Sequence, residues 1–182
     1  DLNTNPSNPI IGRNNRAFSG RTEIAAKYAR AFVDVHRNAG LVTSVKHFPG
    51  HGSSRRDSHR GFTDITNTWQ AGELEPFRQL IGENRADLVM VGHLFLEQFE
   101  PRTAKPIPAS LSTQVVEGLL RQQMGYDGVV ITDDLDMGAI RNQFSQDETI
   151  LRAVRAGVDV LILSNSARPD VNLPDRVISL LS

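Results

Sequence analysis

Three of the five histidines, His47, His51 and His59, fall within thirteen residues, in Lys46-His47-Phe48-Pro49-Gly50-His51-Gly52 and then Asp57-Ser58-His59. An imidazole with its ordinary pKa near 6.5 can give and take a proton near neutrality. In an extended segment residues i and i+2 face the same way, so the Asp57 carboxylate can reach the His59 ring across Ser58, orient it and stabilise its charged form. A solvated loop pair is the plain alternative. Lys46 and His47 supply hydrogen-bond donors for hydroxyls or a carbonyl, the glycines let backbone approach a ligand, and Pro49 fixes the turn. A Gly/Pro turn with surface charge would account for the glycines but not for the concentration of histidines. His47, His51, Asp57 and His59 also form a nitrogen and oxygen set of the kind zinc accepts. Phe-Pro-Gly separates His47 from His51, however, so they are not the one-turn pair of a helical metal motif, and no metal or other cofactor is expected.

The second chemical feature is Asp133, which ends the apolar run Val129-Val130-Ile131-Thr132. A carboxylate there, pointing into a site, can act as a covalent nucleophile toward a sugar carbon. Capping of a following helix is the alternative, and it suits Asp134 or Asp136 better than Asp133.

The elements that must position these groups alternate. Ile24, Tyr28, Ala31, Phe32 and Val35 recur at helical spacing over Thr22 to Ala39, with Thr22 as N-cap and Gly40 as the stop. Leu41 to Val45 reads as a strand, and Lys46 to Asn67 as a long loop of the length that is usually functional or disordered. The spacing then predicts a helix over Gly72–Asn84, a strand at Asp87–Val91, a helix over Thr113–Met124 behind Ser112, a strand at Gly128–Thr132, a helix over Asp147–Ala156 and a strand at Asp159–Leu163. Strands alternating with helices, apolar without polar alternation, argue parallel βαβ units covered on both faces. Polar residues collect where strands end: Lys46-His47, His93 and Asp133-Asp134. That edge is where parallel α/β folds build their sites.

The chain has 182 residues, with 20 Lys and Arg against 21 Asp and Glu. Counting Gly and leaving out Tyr, about 46% of it is apolar, an ordinary globular share. The balanced charge gives no electrostatic case for a nucleic-acid partner or a membrane surface, and no run approaches the ~18 apolar residues of a membrane span. The lack of cysteine excludes disulfides, thiolate zinc sites and a Cys nucleophile without naming a compartment.

With these residues assembled, the chain closely resembles the family 3 glycoside hydrolases, and within them the bacterial β-N-acetylglucosaminidases. The match is K-H-F-P-G-H-G-x4-D-S-H, Lys46 through His59. It is supported by Asn15-Arg16-Ala17-Phe18, Val89-Met90-Val91-Gly92-His93, Pro108-Ala109-Ser110-Leu111-Ser112, and Gly125-Tyr126-Asp127-Gly128 leading to Thr132-Asp133-Asp134-Leu135. The resemblance implies a (β/α)8 barrel of TIM type that removes terminal N-acetylglucosamine with retention, from peptidoglycan-derived or chitin-type oligosaccharides. It implies Asp133 as nucleophile, His59 as acid/base on a mobile loop with Asp57 as its partner, and Arg16, Lys46 and His47 as sugar-binding residues. The wider family's β-glucosidases lack the D-S-H element, which favours the hexosaminidase branch. Another family 3 β-glycosidase, either a β-glucosidase or a glycoside phosphorylase, is the runner-up reading, and a non-catalytic sugar-binding piece is a third. A whole barrel takes about 250 residues. Residues 1–182 are therefore expected to be a single barrel domain carrying about four to five of eight βα units, an internal piece lacking the first strands and the last, with Asp1-Leu2 as the end of an earlier strand. The implied source is bacterial, either cytoplasmic or exported, and the oligomeric state is left open.

Overall fold

The computed structural model describes residues 1–166 and 169–182. Helix α1 (Thr22–Asn38) leads to strand β1 (Ser44–Phe48), followed by a two-residue strand β2 (Thr63–Asp64). A tight turn at Ala71–Leu74 opens helix α2 (Glu75–Gly82), and strands β3 (Leu88–Val91) and β4 (Leu94–Phe95) come next. The helix Gln114–Gln123 is wound wide, with bonds such as Met124 N–H to the Leu119 carbonyl at 3.0 Å. Strand β5 (Val129–Asp134), helices α3 (Gly138–Arg141) and α4 (Gln146–Arg155), strand β6 (Val160–Ile162) and helix α5 (Leu173–Leu181) complete the chain.

The sheet order is β1-β3-β5-β6 and every pairing is parallel, with Val45 beside Val89, Val89 beside Val130 and Ile131 beside Val160. β2 and β4 pair separately, also in parallel. Val89, Val91 and Val130 are fully buried, as central strands covered on both faces require. Phe77 of α2 and Val116, Leu119 and Leu120 of the wide helix close over them. Phe48 meets Phe77 edge to face, with centroids 5.4 Å apart, a contact worth about 0.5–1.5 kcal/mol beyond its burial.

Three expectations shift. The first strand begins at Ser44 rather than Leu41, because the Asp87 carboxylate takes both the N–H and the hydroxyl of Thr43 and leaves Leu41 and Val42 exposed. Lys46 and His47 are thus inside the strand's last turns of pleat, not after it. α1 buries Ala25, Ala26 and Val33, while Tyr28, Phe32 and Val35 face outward. The buried face is lined with small residues, flanked by ion pairs to the α2 region, Arg30 with Glu83 and Asp34 with Arg85, and the aromatic stripe gathers Phe18 instead. Asp1-Leu2 is not in a strand, although the Asp1 main-chain nitrogen donates to the Lys46 carbonyl at 2.8 Å.

Candidate active site

β1 and β5 run parallel on either side of β3, so Lys46-His47 and Asp133 come to one edge of the sheet, with His93 just beyond β3 between them. Each buried ring there is held by a different partner. The His47 ring gives its Nδ1 to the Asp1 carboxylate at 2.7 Å, and the same carboxylate accepts the N–H groups of His47 at 3.1 Å and His51 at 2.8 Å. His51 Nε2 lies 3.0 Å from the Ser58 hydroxyl, and its Nδ1 is buried with no hydrogen-bond partner among the described residues. His93 gives Nε2–H to the Asp134 carbonyl at 2.8 Å, leaving Nδ1 to accept the Ser110 hydroxyl at 2.7 Å.

Burial pushes all three rings toward the neutral form, His51 down to about 3, while the negative charge of Asp133 pulls each of them back. Asp133 is therefore the charge around which the three rings stand. It is half-buried, and its Oδ1 accepts the N–H of Asp134 at 2.9 Å. Asp134 faces another way. Its burial is outweighed by N–H donors from Ser164 and Asp136, which hold its carboxyl below the usual range. Neither Asp134 nor Asp136 caps α3; both bind the loop that leaves β6.

Asp57 and His59 form a pair on the neighbouring loop. His59 Nδ1 lies 2.7 Å from Asp57 Oδ1, which also accepts the His59 N–H at 2.9 Å. Partial burial of Asp57 is outweighed by these bonds, which hold its carboxyl below the usual range. Ser58 turns inward to His51, so Asp57 and His59 share the outward side. Among the described residues no three His, Asp or Glu side chains converge as a metal site would need. Of the four residues considered as ligands, His47 is tied to Asp1, His51 to Ser58, and His59 to Asp57.

This arrangement of sheet-edge carboxylate, buried rings and outward Asp–His pair coincides with a match to the model "Glycosyl hydrolase family 3 N terminal domain" over residues 1–180. This chain belongs to glycosyl hydrolase family 3. Its curated relatives include "Beta-hexosaminidase A" of Pseudoalteromonas piscicida, 32% identical over 92% of the chain and 29% of the relative. They also include "Beta-hexosaminidase" of Haemophilus influenzae, 32% identical over 89% and 46%. The family 3 chain thus spans less than half the length of either relative. Among solved structures it resembles a family 3 β-N-acetylglucosaminidase from Paenibacillus, with a TM-score of 0.82 and 36% identity over 100% of this chain and 37% of that one. The four-stranded parallel sheet is accordingly part of a TIM-barrel-type α/β fold.

Two candidates of the family 3 chain remain, on the β1 side of the same sheet edge. Arg16 and Lys46 are exposed and line a groove between α1 and β1 with Phe18 and Thr43, a groove whose lining includes neither Asp133 nor His59. Arg16 is anchored by a bond from its guanidinium to the Ile10 carbonyl at 3.2 Å, and its charge reaches the His47 and His51 rings. Several supporting residues escaped the sequence reading. Asn8, fully buried, donates to the His51 and Gly52 carbonyls and accepts from Ile10 and Ile11. Buried Glu73 accepts the Ser53 N–H at 3.2 Å, and its carboxyl is pushed up by burial. Asp1 carries the clamp on His47. A run of Asn and Pro before a helix, or a Glu in a helix's first turn, carries no sequence signal for these contacts.

Proposed function

We propose that the full-length protein is a retaining β-N-acetylglucosaminidase acting on terminal N-acetylglucosamine of peptidoglycan-derived or chitin-type oligosaccharides. The observation that carries this reading is the Asp57–His59 pair, bonded at 2.7 Å on a loop whose His59 carbonyl accepts the Gly138 N–H, just past the Asp133 strand. The printed names of the relatives and of the Paenibacillus neighbour support the choice of sugar. The exposed apolar residues along both edges of the sheet, Leu41 and Val42 beside β1 and Val160 on β6, support a closed barrel to which these four strands contribute.

In the first step an Asp133 carboxylate oxygen bonds to the anomeric carbon as the glycosidic bond breaks. The bonding pair leaves with the aglycone oxygen, which takes the proton from His59 Nε2. Asp57, an anion, steadies the charged ring beforehand. In the second step the neutral ring takes a proton from water. The water oxygen bonds to the same carbon as the Asp133 ester breaks, and two inversions give retention. Arg16, Lys46 and His47 hold the sugar. His47, with Nδ1–H committed to Asp1, presents an Nε2 lone pair, so it accepts from a hydroxyl while Lys46 donates.

The test is turnover of 4-nitrophenyl N-acetyl-β-glucosaminide against the matching β-glucoside by the full-length protein. The N-acetyl substrate should lead by about 100-fold or more in kcat/KM. Equal turnover would point to a β-glucosidase, release of sugar 1-phosphate only when phosphate is added to a phosphorylase, and no turnover of either to a binding role.

A further inference from the structure

The loop carrying His59 is not held by the side chains of its own motif alone. The Ser58 carbonyl accepts the N–H of Ala139 at 3.1 Å, and the His59 carbonyl accepts the N–H of Gly138 at 2.9 Å. One residue on, the Arg60 carbonyl receives Asn142 Nδ2 at 3.3 Å. Successive loop carbonyls are thus fastened to one short segment, α3 and the residue that follows it. That segment follows directly on β5, the strand that carries Asp133, through the turn 135–137.

The fit leaves no room. A Cβ on Gly138 would lie 2.5 Å from the Arg60 carbonyl oxygen and 2.8 Å from that of His59. These are main-chain atoms that cannot rotate aside, so any side chain there moves the loop. Gly138, Ala139 and Ile140 are buried, whereas Arg55, Arg56, His59 and Arg60 are exposed. The firm partner in the contact is the α3 side.

We infer that Gly138 is a positioning residue for the acid–base step: its N–H and its missing side chain set where His59 stands relative to Asp133, and Asn142 supports the same register from the side. The inference rests on the assignment of His59 as acid/base. A proton donor works only within hydrogen-bond reach of the leaving oxygen, and a displacement of about 1 Å can cost about 100-fold. The first N–H groups of a helix have no partner within it, so they are free to take the loop carbonyls.

The experiment compares Gly138→Ala, Asn142→Ala and His59→Ala in the full-length protein on aryl N-acetyl-β-glucosaminides of graded leaving-group acidity, with trypsin cleavage after Arg55, Arg56 and Arg60 as a second readout. Gly138→Ala should lose about 10- to 100-fold in kcat/KM on poor leaving groups and less than about threefold on a dinitrophenyl leaving group, parallel to His59→Ala. Cleavage of its loop should quicken by about tenfold. Asn142→Ala should show the same selectivity at about two- to fivefold, and it decides the matter if Gly138→Ala does not fold. If His59→Ala is selective but Gly138→Ala and Asn142→Ala lose activity equally on every substrate, or not at all, the positioning role is overturned while the acid/base role stands. If His59→Ala is itself unselective, the functional reading fails. Unchanged trypsin cleavage in Gly138→Ala would then overturn the docking as well.

Discussion

Asp133 gains its surroundings from groups that are each committed elsewhere. The Asp1 carboxylate fixes the His47 tautomer, Ser58 bonds to His51, and the Asp134 carbonyl holds His93. Burial disfavours the charged form of each ring, which works against any of them cancelling the Asp133 carboxylate with a full positive charge of its own. Asp133→Ala should therefore remove the reacting atom and leave the scaffold standing. Turnover is expected to fall on the order of 10⁴-fold or more, with an unfolding midpoint within about 1 kcal/mol of the parent. A rate near that of the parent would remove Asp133 from the reaction. The residues of this step are local in sequence: Lys46, His47, Asp57 and His59 lie in one motif, and Asp133 ends one apolar run. Asp1, Asn8 and Glu73 are not legible in the same way. Their hydrogen bonds cross between segments far apart in the chain, and spacing within a segment says nothing about such partners.

The Lys46–Gly52 turn shows why an element can be legible while its purpose is misread. Its glycines suggested close approach to a ligand, but the close neighbours are protein. Gly50 has φ +126°, and a Cβ there would lie 2.7 Å from Cβ of Glu73. A Cβ on Gly52 would sit only 1.8 Å from the Leu2 carbonyl oxygen. Trp69 adds a bond from its indole N–H to the Pro49 carbonyl at 3.0 Å. The turn is thus clamped between the segment that bears Asp1 and the turn that bears Glu73. Gly52→Ala should push Leu2 away and carry Asp1 off His47, at a cost of about 1–3 kcal/mol, the usual range for overpacking. A urea unfolding curve measures it, and an unshifted midpoint would show that the Asp1 segment yields freely. Strands β1, β3, β5 and β6 were legible because β-branched runs between glycines and helices carry their own signal. The inward face of α1 was not. Its aromatic period pointed one way, while the buried face is lined by the small Ala25 and Ala26 and flanked by ion pairs to Glu83 and Arg85. β2 and β4, two residues each, are too short for any period to register, and α5 was not anticipated.

At the scale of the whole molecule, the parallel pairing of the strands was legible from the alternation of elements, and the near balance of charge from composition. What composition could not show is where the five histidines sit, and that governs how the fold responds to acid. His47, His51 and His93 are buried, and burial pushes each below the ordinary value of 6.5, His51 to about 3. In the unfolded chain they titrate near 6.5. Their contribution to stability is thus fully present above that pH. It is lost as pH falls from 6.5 toward 3, because over that window the unfolded chain binds protons that the fold refuses. Each such ring contributes a slope of up to about 1.4 kcal/mol per pH unit, so three together give at most about 4. At His47, also pushed down to about 3, the Asp1 carboxylate at Nδ1 favours the charged ring and opposes part of the effect of burial. Glu73 runs the other way. Its folded value is raised above 4.5 by burial, so between the two values the fold holds a proton that the unfolded chain has released, and this offsets part of the slope. Urea midpoints of the full-length protein at pH 7, 6 and 5, at fixed ionic strength, should fall steadily. His51→Gln, whatever its midpoint at pH 7, should flatten that decline by one ring's share. A midpoint constant from pH 7 to 5 would mean that the three rings take up protons inside the fold, against the desolvation that their burial imposes.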